Sequence, residues 1–258
     1  MNGRQRRAAR GLPPAPAAAR DCAWFLDLDG TLIGFASSPA GVRIDRLLRE
    51  LIEDLHSSAG RAVALITGRS IADVDSLFPD ARLAVAGLHG IERRNASGRR
   101  RRHRFPTHRL DPVRRAFDAA AARHSRLLVE DKGASIALHY RRAPRLGGYV
   151  HRLARGMVAQ LGTAYCQQAG KRVVEIRPAG RDKGIAIREF MREPPFRGRT
   201  PVFLGDDATD EYGFALVNRL GGYSVKVGPG RTVASWRLRD VRAVRAWLRL
   251  GLTAKAAP

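Results

Sequence analysis

The sequence predicts an α/β protein with a parallel sheet, helices on both faces of that sheet, and an inserted α+β module. Up to Ala86, short apolar runs alternate with amphipathic helical patterns, and this alternation resumes after Asp182. Such alternation is typical of parallel sheets. In between, the pattern becomes helix, hairpin, helix, hairpin, which indicates a separate module. The length of 258 residues suffices for one large domain or two small ones.

The first part of the parallel sheet comes from three apolar runs. We predict strands at Cys22–Leu28, Ala62–Ile66 and Leu83–Ala86. Between them, Val42–Ala59 carries apolar residues at helical spacing and is followed by the helix stop signal Gly60. A capping box at Ser70–Asp73 opens a second helix, which Pro79 closes.

The module between the two halves combines two helices with two hairpins. We predict helices at Asp111–His124 and Pro144–Leu161, and strands at Leu127–Glu130, Ser135–Tyr140, Ala164–Gln168 and Arg172–Arg177. The final segment returns to the first pattern, with helices at Gly184–Arg192, Asp210–Asn218 and Asp240–Leu250 and strands at Val202–Leu204 and Ser224–Val227. The prediction is a Rossmann-like core, residues 21–108 and 178–258, with an inserted cap domain, residues 109–177.

The chain is strongly basic, since 47 Lys and Arg against 24 Asp and Glu give a net charge of +23. Such a charge favours an acidic partner, which is nucleic acid, a membrane surface or a phosphorylated substrate. The densest run, Arg93–Arg104, has no aromatic residue interleaved among its arginines for base stacking and surrounds a turn signal at Asn95–Gly98. We therefore interpret it as a solvated arginine-rich hairpin and expect no nucleic-acid partner. Residues 1–20 hold five arginines and no acid, and we predict a disordered basic arm.

Composition also narrows the class of protein. An apolar share of 44% and a charged share of 28% are those of a globular protein. The longest charge-free run, Gly156–Gly170, has 15 residues, too few to span a bilayer. Two cysteines, Cys22 and Cys166, can build neither a disulfide framework nor a four-cysteine zinc site. We expect a cytoplasmic monomer without membrane contact.

Two acidic motifs directly follow predicted strands. Asp27-Leu28-Asp29-Gly30-Thr31 comes after the first strand, and Gly205-Asp206-Asp207-Ala208-Thr209-Asp210-Glu211, with four acids in six positions, follows Val202–Leu204. Ligands of open parallel sheets bind beyond the carboxyl ends of the strands. Carboxylates this close repel one another unless a cation lies between them. Oxygen ligands of this kind suit Mg²⁺.

Two further motifs carry groups that bind a phosphoryl group. Thr67-Gly68-Arg69 follows the second strand, where a hydroxyl can donate to a phosphoryl oxygen and Gly68 permits close backbone approach. Lys183 begins a predicted helix, where a positive charge is unfavourable unless an anion neutralises it. Taken alone, each motif has an ordinary structural interpretation: Thr67 as a helix cap, and Lys183 as an exposed lysine.

The four motifs together, in this order, resemble those of the haloacid dehalogenase-like phosphatases. Longer segments are similar to the trehalose-6-phosphate phosphatase family, from about residue 23 to residue 250. They are Ala86-Gly-Leu-His-Gly90-Ile-Glu92, Glu130-Asp-Lys-Gly133, Ala137-Leu-His-Tyr-Arg141, Val173-Val-Glu-Ile-Arg-Pro178 and Pro201-Val-Phe-Leu-Gly-Asp-Asp207.

The resemblance implies a catalytic set of four residues. Asp27 is the expected nucleophile, which forms an aspartyl-phosphate. Asp29 is expected to protonate the departing sugar oxygen and later to take a proton from the attacking water. Thr67 and Lys183 are expected to hold the phosphoryl oxygens.

The resemblance also implies Mg²⁺ as cofactor. Its expected ligands are Asp27, the main-chain carbonyl of Asp29, and Asp206. Asp210 or Asp207 is expected to support the ion through waters.

Substrate binding is implied for residues of both the core and the cap, which is expected to close over the site and read the sugar. The expected substrate-binding residues are Asp27, Asp29, Gly30, Thr67, Gly68, Arg69, His89, Glu130, Lys132, Glu175 and Asp207. Arg141 and Arg177 are further cap candidates, and for each cap residue a surface ion pair is the alternative interpretation. His89 is not expected to bind the metal.

The sequence is compatible with three functions. The leading one is Mg²⁺-dependent hydrolysis of trehalose 6-phosphate. The second is hydrolysis of another sugar phosphate, such as sucrose 6-phosphate or a glycosyl-phosphoglycerate, by the same core. The third is a basic nucleic-acid-binding protein on an inactive phosphatase scaffold, against which the intact carboxylates argue.

Overall fold

The chain forms two compact units in the computed structural model, which describes residues 21–34, 43–79 and 82–253. The larger unit combines the described residues up to Arg101 with those from Asp182 onward. The smaller unit spans Arg102–Arg181, so the predicted insert, residues 109–177, lies wholly inside it. The predicted basic arm, residues 1–20, lies outside the described residues.

The larger unit is built on an eight-stranded sheet in the order β12-β11-β10-β1-β2-β3-β4-β5. Strands are numbered along the whole chain. The five pairings from β12 to β3 are parallel, and β3 pairs with β4 antiparallel. The strands are β1 Cys22–Leu26, β2 Val63–Ile66, β3 Ala84–Gly87, β4 Glu92–Arg94, β5 Arg100–Arg102, β10 Thr200–Gly205, β11 Tyr223–Val227 and β12 Trp236–Leu238.

Helices cover both faces of this sheet, because the central strands are apolar on both sides. Trp24 of β1 points to one face, where its ring centroid lies 5.9 Å from that of Trp247, and Phe25 points to the other, 6.1 Å from Phe190. Alternating side chains of a strand lie on opposite faces, so a fully apolar strand needs cover on both. The helices are α1 Arg46–Ser58, α2 Ile71–Leu77 and α7 Val241–Thr253 on the first face, and α5 Lys183–Phe190 and α6 Glu211–Arg219 on the second. The predicted Rossmann-like α/β core is confirmed.

Side-chain caps start the first two helices. Asp45 accepts a hydrogen bond from the Leu48 N–H at 2.8 Å, so α1 begins at Arg46 rather than at the predicted Val42, which lies outside the described residues. The capping box before α2 is confirmed, since Ser70 and Asp73 each accept the other's backbone N–H at 3.0 Å.

One predicted strand was too long, and one strand of the large sheet was missed. The first strand ends at Leu26, not Leu28, because the Leu28 carbonyl accepts the N–H groups of Thr31 and Leu32 and so closes a tight loop. The short strand β12, Trp236–Leu238, was not predicted, since three residues with an arginine in the middle carry almost no strand pattern.

The arginine-rich segment forms the predicted hairpin, with β4 beside β5 and the turn at Asn95–Gly98. It is not uniformly solvated, which corrects our interpretation. The side chains of Arg93 and Arg94 are each 12% exposed and pair with Glu193 at 2.6 Å and Asp75 at 2.7 Å. Part of the positive charge therefore stabilises the sheet edge.

The smaller unit packs two helices on one face of a four-stranded antiparallel sheet in the order β6-β7-β9-β8. Alternate residues of β7 and β9, among them Ile136 and Ile176, join the helices in a separate apolar core. The elements are α3 Asp111–Arg123, β6 Leu128–Asp131, β7 Ile136–His139, α4 Gly147–Leu161, β8 Tyr165–Gly170 and β9 Val173–Pro178. The predicted inserted α+β domain is confirmed as a fold.

In the part of the chain that the structure describes, no helix combines the length and the apolar character needed to cross a bilayer. The longest, α4, has 15 residues.

Candidate active site

Three of the motifs meet at one edge of the large sheet. The neighbouring strands β10, β1 and β2 run parallel, and Asp206, Asp27 and Thr67 respectively follow their last residues. The carboxyl ends of parallel strands lie at the same edge, which is where open α/β sheets bind ligands. The topology thus brings together side chains that are far apart in the sequence.

Lys183 completes the cluster from the first turn of α5. Its Nζ atom donates to Oδ1 of Asp27 at 2.8 Å and to Oδ1 of Asp210 at 2.7 Å. The three residues are at most 4% exposed. The lysine is therefore buried between two acids rather than displayed on the surface.

The acids form a site whose chemistry fits a divalent cation. Asp27, Asp206 and Asp210 each offer a carboxylate oxygen, and these atoms lie within 4.8 Å of one another. Hard oxygen ligands of this number suit Mg²⁺, which binds a few carboxylates and keeps waters. Two buried ammonium groups lie at this site, Lys183 on the Asp27 and Asp210 carboxylates and Lys226 on the Asp206 carbonyl, and three carboxylates exceed their charge, so a cation fits.

Burial and the neighbouring charges together set the pKa values of this cluster. Burial raises the pKa of Asp27; the charge of Lys183 opposes this, and the carboxylates of Asp210 and Asp206 add to it. Burial by itself lowers the pKa of Lys183, but the carboxylates of Asp210 and Asp27 outweigh it and the net shift is upward. Lys183 is accordingly a permanent positive charge beside the expected nucleophile.

Asp210 organises the acidic loop. Its Oδ2 atom accepts the N–H groups of Asp206 at 2.9 Å and Asp207 at 2.8 Å. A Cβ atom at Gly205 would lie 2.3 Å from the Asp210 Cγ atom, so only glycine permits this packing. The Asp207 carboxylate instead accepts from the Ala208 N–H at 2.7 Å, as a cap of the next turn.

Asp29 is held by Arg69. The guanidinium donates from Nε to Oδ2 at 2.7 Å and from Nη2 to Oδ1 at 2.8 Å. Bidentate pairs of this type fix both groups in one plane. Gly30 follows with a φ angle of +86°, a conformation that L side chains rarely adopt. Asp29 and Arg69 are thus brought together across 40 positions of sequence.

Thr67, Gly68 and His89 lie beside one another. The Thr67 hydroxyl oxygen accepts the Arg69 N–H at 3.1 Å, which leaves its proton available as a donor. The His89 N–H donates to the Thr67 carbonyl at 3.0 Å, and a Cβ atom at Gly68 would lie 3.0 Å from the His89 ring. His89 therefore packs against the Thr67-Gly68-Arg69 motif, and it is not one of the three side chains that group as possible metal ligands.

The predicted cap residues cluster within the smaller unit. The Lys132 ammonium lies 3.3 Å from Glu175 and 4.0 Å from Glu130. Arg177 differs: it is 5% exposed and donates to the Pro178 and Arg181 carbonyls, which is a structural role. Arg141 is exposed.

Two residues of the larger unit were not singled out from sequence. The Thr31 hydroxyl donates to Asp27 Oδ2 at 3.2 Å, and its place in the first motif was the available signal. Lys226 of β11 is buried and donates to the Asp206 carbonyl and, at 3.0 Å, to that of Val227. A lysine between two valines of a predicted strand was the available signal.

Solved structures share this architecture. The C-terminal domain of trehalose-6-phosphate phosphatase from C. albicans aligns over 90% of this chain and 93% of its own with a TM-score of 0.83, at 22% identity. A haloacid dehalogenase-like hydrolase from Bacteroides thetaiotaomicron aligns over 87% of this chain and 97% of its own, with a TM-score of 0.62 at 15% identity. At these identities the likeness establishes the fold.

Sequence comparison is more specific. A trehalose-6-phosphate phosphatase from Escherichia coli (strain K12) is 43% identical over 94% of this chain and 91% of its own length. A probable trehalose-phosphate phosphatase of Sinorhizobium fredii is 42% identical over 80% of this chain and 78% of its own. The trehalose-phosphatase family model matches residues 25–242, which include all the core motifs and confirm the resemblance. The chain belongs to the trehalose-phosphatase family.

Proposed function

We propose that this protein hydrolyses trehalose 6-phosphate to trehalose and inorganic phosphate. The observation that carries the proposal is the buried contact of Asp27 with Lys183 beside Asp206 and Asp210. This arrangement offers a nucleophile, a fixed positive charge and a cation site at one strand edge. The relatives named for this substrate align along nearly the whole chain.

We assign Mg²⁺ to the acidic cluster, with Asp27, Asp206 and the main-chain carbonyl of Asp29 as ligands and Asp210 as the residue that orders the loop. When bound, the ion would offset the negative charge of the phosphoryl oxygens and so reduce their repulsion of the Asp27 carboxylate. Lys226, through the Asp206 carbonyl, holds the backbone of one ligand in place.

In the first chemical step, one Asp27 carboxylate oxygen attacks phosphorus and the bond from phosphorus to the sugar oxygen breaks. Asp29 gives the proton that this oxygen needs, so trehalose leaves neutral. Arg69 engages both Asp29 oxygens in the structure. Acid catalysis therefore requires Arg69 to release at least one of them when substrate binds.

In the second step, water attacks the aspartyl-phosphate. Asp29, now ionised, takes a proton from that water, and the bond from phosphorus to Asp27 breaks, which releases phosphate. Thr67 and Lys183 hold the phosphoryl oxygens in both steps, so positioning and charge supply most of the rate enhancement.

We assign recognition of the disaccharide to the smaller unit, and specifically to Glu130, Lys132 and Glu175. A site that pairs buried polar groups with sugar hydroxyls rejects analogues that lack those hydroxyls by orders of magnitude. Three hydrogen-bonding side chains on one patch of sheet fit this requirement.

The test is phosphate release from trehalose 6-phosphate, sucrose 6-phosphate and glucose 6-phosphate, each with Mg²⁺ and with EDTA. We expect trehalose 6-phosphate to have the highest kcat/KM and EDTA to abolish turnover. The Asp27→Asn variant removes the nucleophile while it keeps the side-chain shape, so we expect its turnover to fall to background.

The outcomes separate the parts of the proposal. Equal rates for all three esters would overturn the assignment of trehalose 6-phosphate as the substrate. Full activity in EDTA would overturn the assignment of Mg²⁺ as the cofactor. Burst release of sugar before phosphate in rapid-quench experiments supports the covalent intermediate, and an active Asp27→Asn variant contradicts it.

We also propose a cytoplasmic location, because both cysteines are free thiols and a reducing compartment maintains them. Recovery of the enzyme in the periplasmic or secreted fraction of the source cells would contradict this.

A further inference from the structure

The sheet of the smaller unit has one apolar and one polar face. Ile136 and Leu138 of β7 point into the core under α3 and α4. Side chains of a strand alternate between faces, so Ser135, Ala137 and His139 point the other way. They share this second face with Glu130, Lys132, Glu175 and Gln168, by the pairings of Glu130 with Ala137, Ala137 with Glu175, and Glu175 with Gln168.

The two glutamates flank β7 at the same level. Glu130 on β6 and Glu175 on β9 lie on either side of Ala137, whose methyl group leaves room between them. Lys132 reaches both, at 4.0 Å and 3.3 Å. The single ammonium offsets part of the negative charge of the two carboxylates.

Two residues, Ser135 directly before β7 and His139 at its end, each contact one of the carboxylates. His139 Nε2 lies 2.7 Å from Oε2 of Glu130, and the Ser135 hydroxyl donates to Oε1 of Glu175 at 2.5 Å. Both glutamates pair with Ala137, so each contact is a diagonal one. Ser135 reaches β9 from two residues before Ala137, and His139 reaches β6 from two residues after it. Diagonal neighbours on one sheet face are within reach of long side chains.

The environment keeps Glu130 ionised. Burial opposes its ionisation, but the hydrogen bond from His139 and the charge of Lys132 outweigh burial and lower the pKa of Glu130. A carboxylate only accepts hydrogen bonds, so His139 must donate from Nε2. Glu130 thus presents acceptor oxygens in an orientation that His139 sets.

We propose that Ser135 and His139 are positioning residues for sugar specificity, which fix Glu175 and Glu130 as hydrogen-bond acceptors for trehalose hydroxyls. The inference rests on the proposed function, since it concerns how that substrate is recognised. Neither residue touches the reacting phosphoryl group in this assignment, so both act through the glutamates. Discrimination by hydrogen bonds requires acceptors held to a fraction of an ångström.

The test compares trehalose 6-phosphate with p-nitrophenyl phosphate, which carries no sugar. For Ser135→Ala and for His139→Ala we expect kcat/KM for trehalose 6-phosphate to fall about 10- to 100-fold, mainly through KM, as for loss of a hydrogen bond to a charged group. Kinetic constants for p-nitrophenyl phosphate should stay at wild-type values. Ser135→Thr and His139→Gln retain a donor and should recover part of the loss.

Matched controls are Ser125→Ala and His108→Gln, which alter exposed residues of the same unit. They should leave the kinetic constants for both substrates at wild-type values.

If the wild-type enzyme shows no preference for trehalose 6-phosphate, the proposed function fails. If the wild type has that preference and both alanine variants keep it, the positioning role is overturned. Equal losses on both substrates also overturn it. Should Ser135→Ala fail to fold, the His139 pair of variants decides the question.

Discussion

At the scale of single residues, the least expected feature is a buried lysine that contacts two aspartates. Desolvation of three ionised groups is costly, and close contacts repay it only when the geometry is good. Here Lys183 donates to Asp27 and Asp210 within 2.8 Å. Each of these three side chains has an oppositely charged partner at hydrogen-bond distance, which offsets part of the cost of burying it.

We expect Lys183→Met to destabilise the enzyme by about 3–5 kcal/mol, since removal of one partner leaves uncompensated buried charge. Turnover should also fall, because a fixed positive charge beside the phosphoryl group is lost. The free energy of unfolding is to be measured in urea with EDTA and again with Mg²⁺. The deficit should shrink with Mg²⁺, which supplies the missing charge.

The matched control is Lys171→Met, which removes an exposed lysine and should change the free energy of unfolding by less than about 0.5 kcal/mol. A Lys183→Met enzyme as stable as wild type in EDTA would show that Asp27 and Asp210 are neutral in the metal-free protein.

At the scale of elements, helix starts position two of the proposed catalytic groups. Lys183 is the first residue of α5, after the Asp182 cap, which accepts the Ile185 N–H at 2.8 Å. The Thr67–Arg69 segment runs directly into the Ser70 cap of α2. Caps that fix where a helix begins also fix the loop before it, and here that loop belongs to the site.

We expect Ser70→Ala to lower the free energy of unfolding by about 1 kcal/mol, the typical cost of losing an N-cap. KM should rise with it, because the Thr67–Arg69 loop loses its anchor. Urea denaturation and steady-state kinetics measure the two effects. Ser76→Ala lies on the exposed side of the same helix and serves as the control, for which we expect little change. Identical values for the two variants would contradict a role for the cap.

At the scale of the whole molecule, the central strands β1 and β2 of the large sheet are buried along their whole length. Cys22 on β1 is fully buried. Burial, with a smaller contribution from the charge of Asp21, raises the pKa of its thiol to about 11. A thiol is reactive only as a thiolate, so labelling of Cys22 requires opening of the core.

We expect iodoacetamide at pH 8 to label Cys166, which is half-buried, much faster than Cys22 in the native enzyme. In urea the two rates should become similar. Mass spectrometry of the digested protein gives both rates. Native Cys22 labelling at the unfolded rate would show that β1 is not part of a stable core.

The same pKa shift has a consequence for stability. The native thiol keeps its proton to higher pH than the unfolded thiol, whose ordinary value is 9.0. The unfolded state therefore binds fewer protons between about pH 9 and pH 11, and stability falls as the pH rises through that range. Cys22→Ala should reduce this alkaline sensitivity in thermal melts.

The sequence by itself determined the class of fold and the identity of the core motifs. Helices and strands can be predicted from local periodicity. Their starting points can be predicted as well, because cap residues such as Ser70 are adjacent in sequence to the helices that they start. The acids at positions 27, 29, 206 and 210 were recognisable because carboxylates that cluster after apolar strands repel one another unless they bind a cation. The family resemblance then ordered them into a reaction.

Only the tertiary structure decided which partners these residues have. The bidentate pairing of Arg69 with Asp29, the carbonyl contact of Lys226 and the diagonal contacts of Ser135 and His139 join residues on different elements. Pairings of this kind depend on strand order and on side-chain direction within a packed fold. Local periodicity carries no information on strand order or on side-chain direction in the packed fold. The reason is that contacts between distant segments form only when the core brings their backbones together.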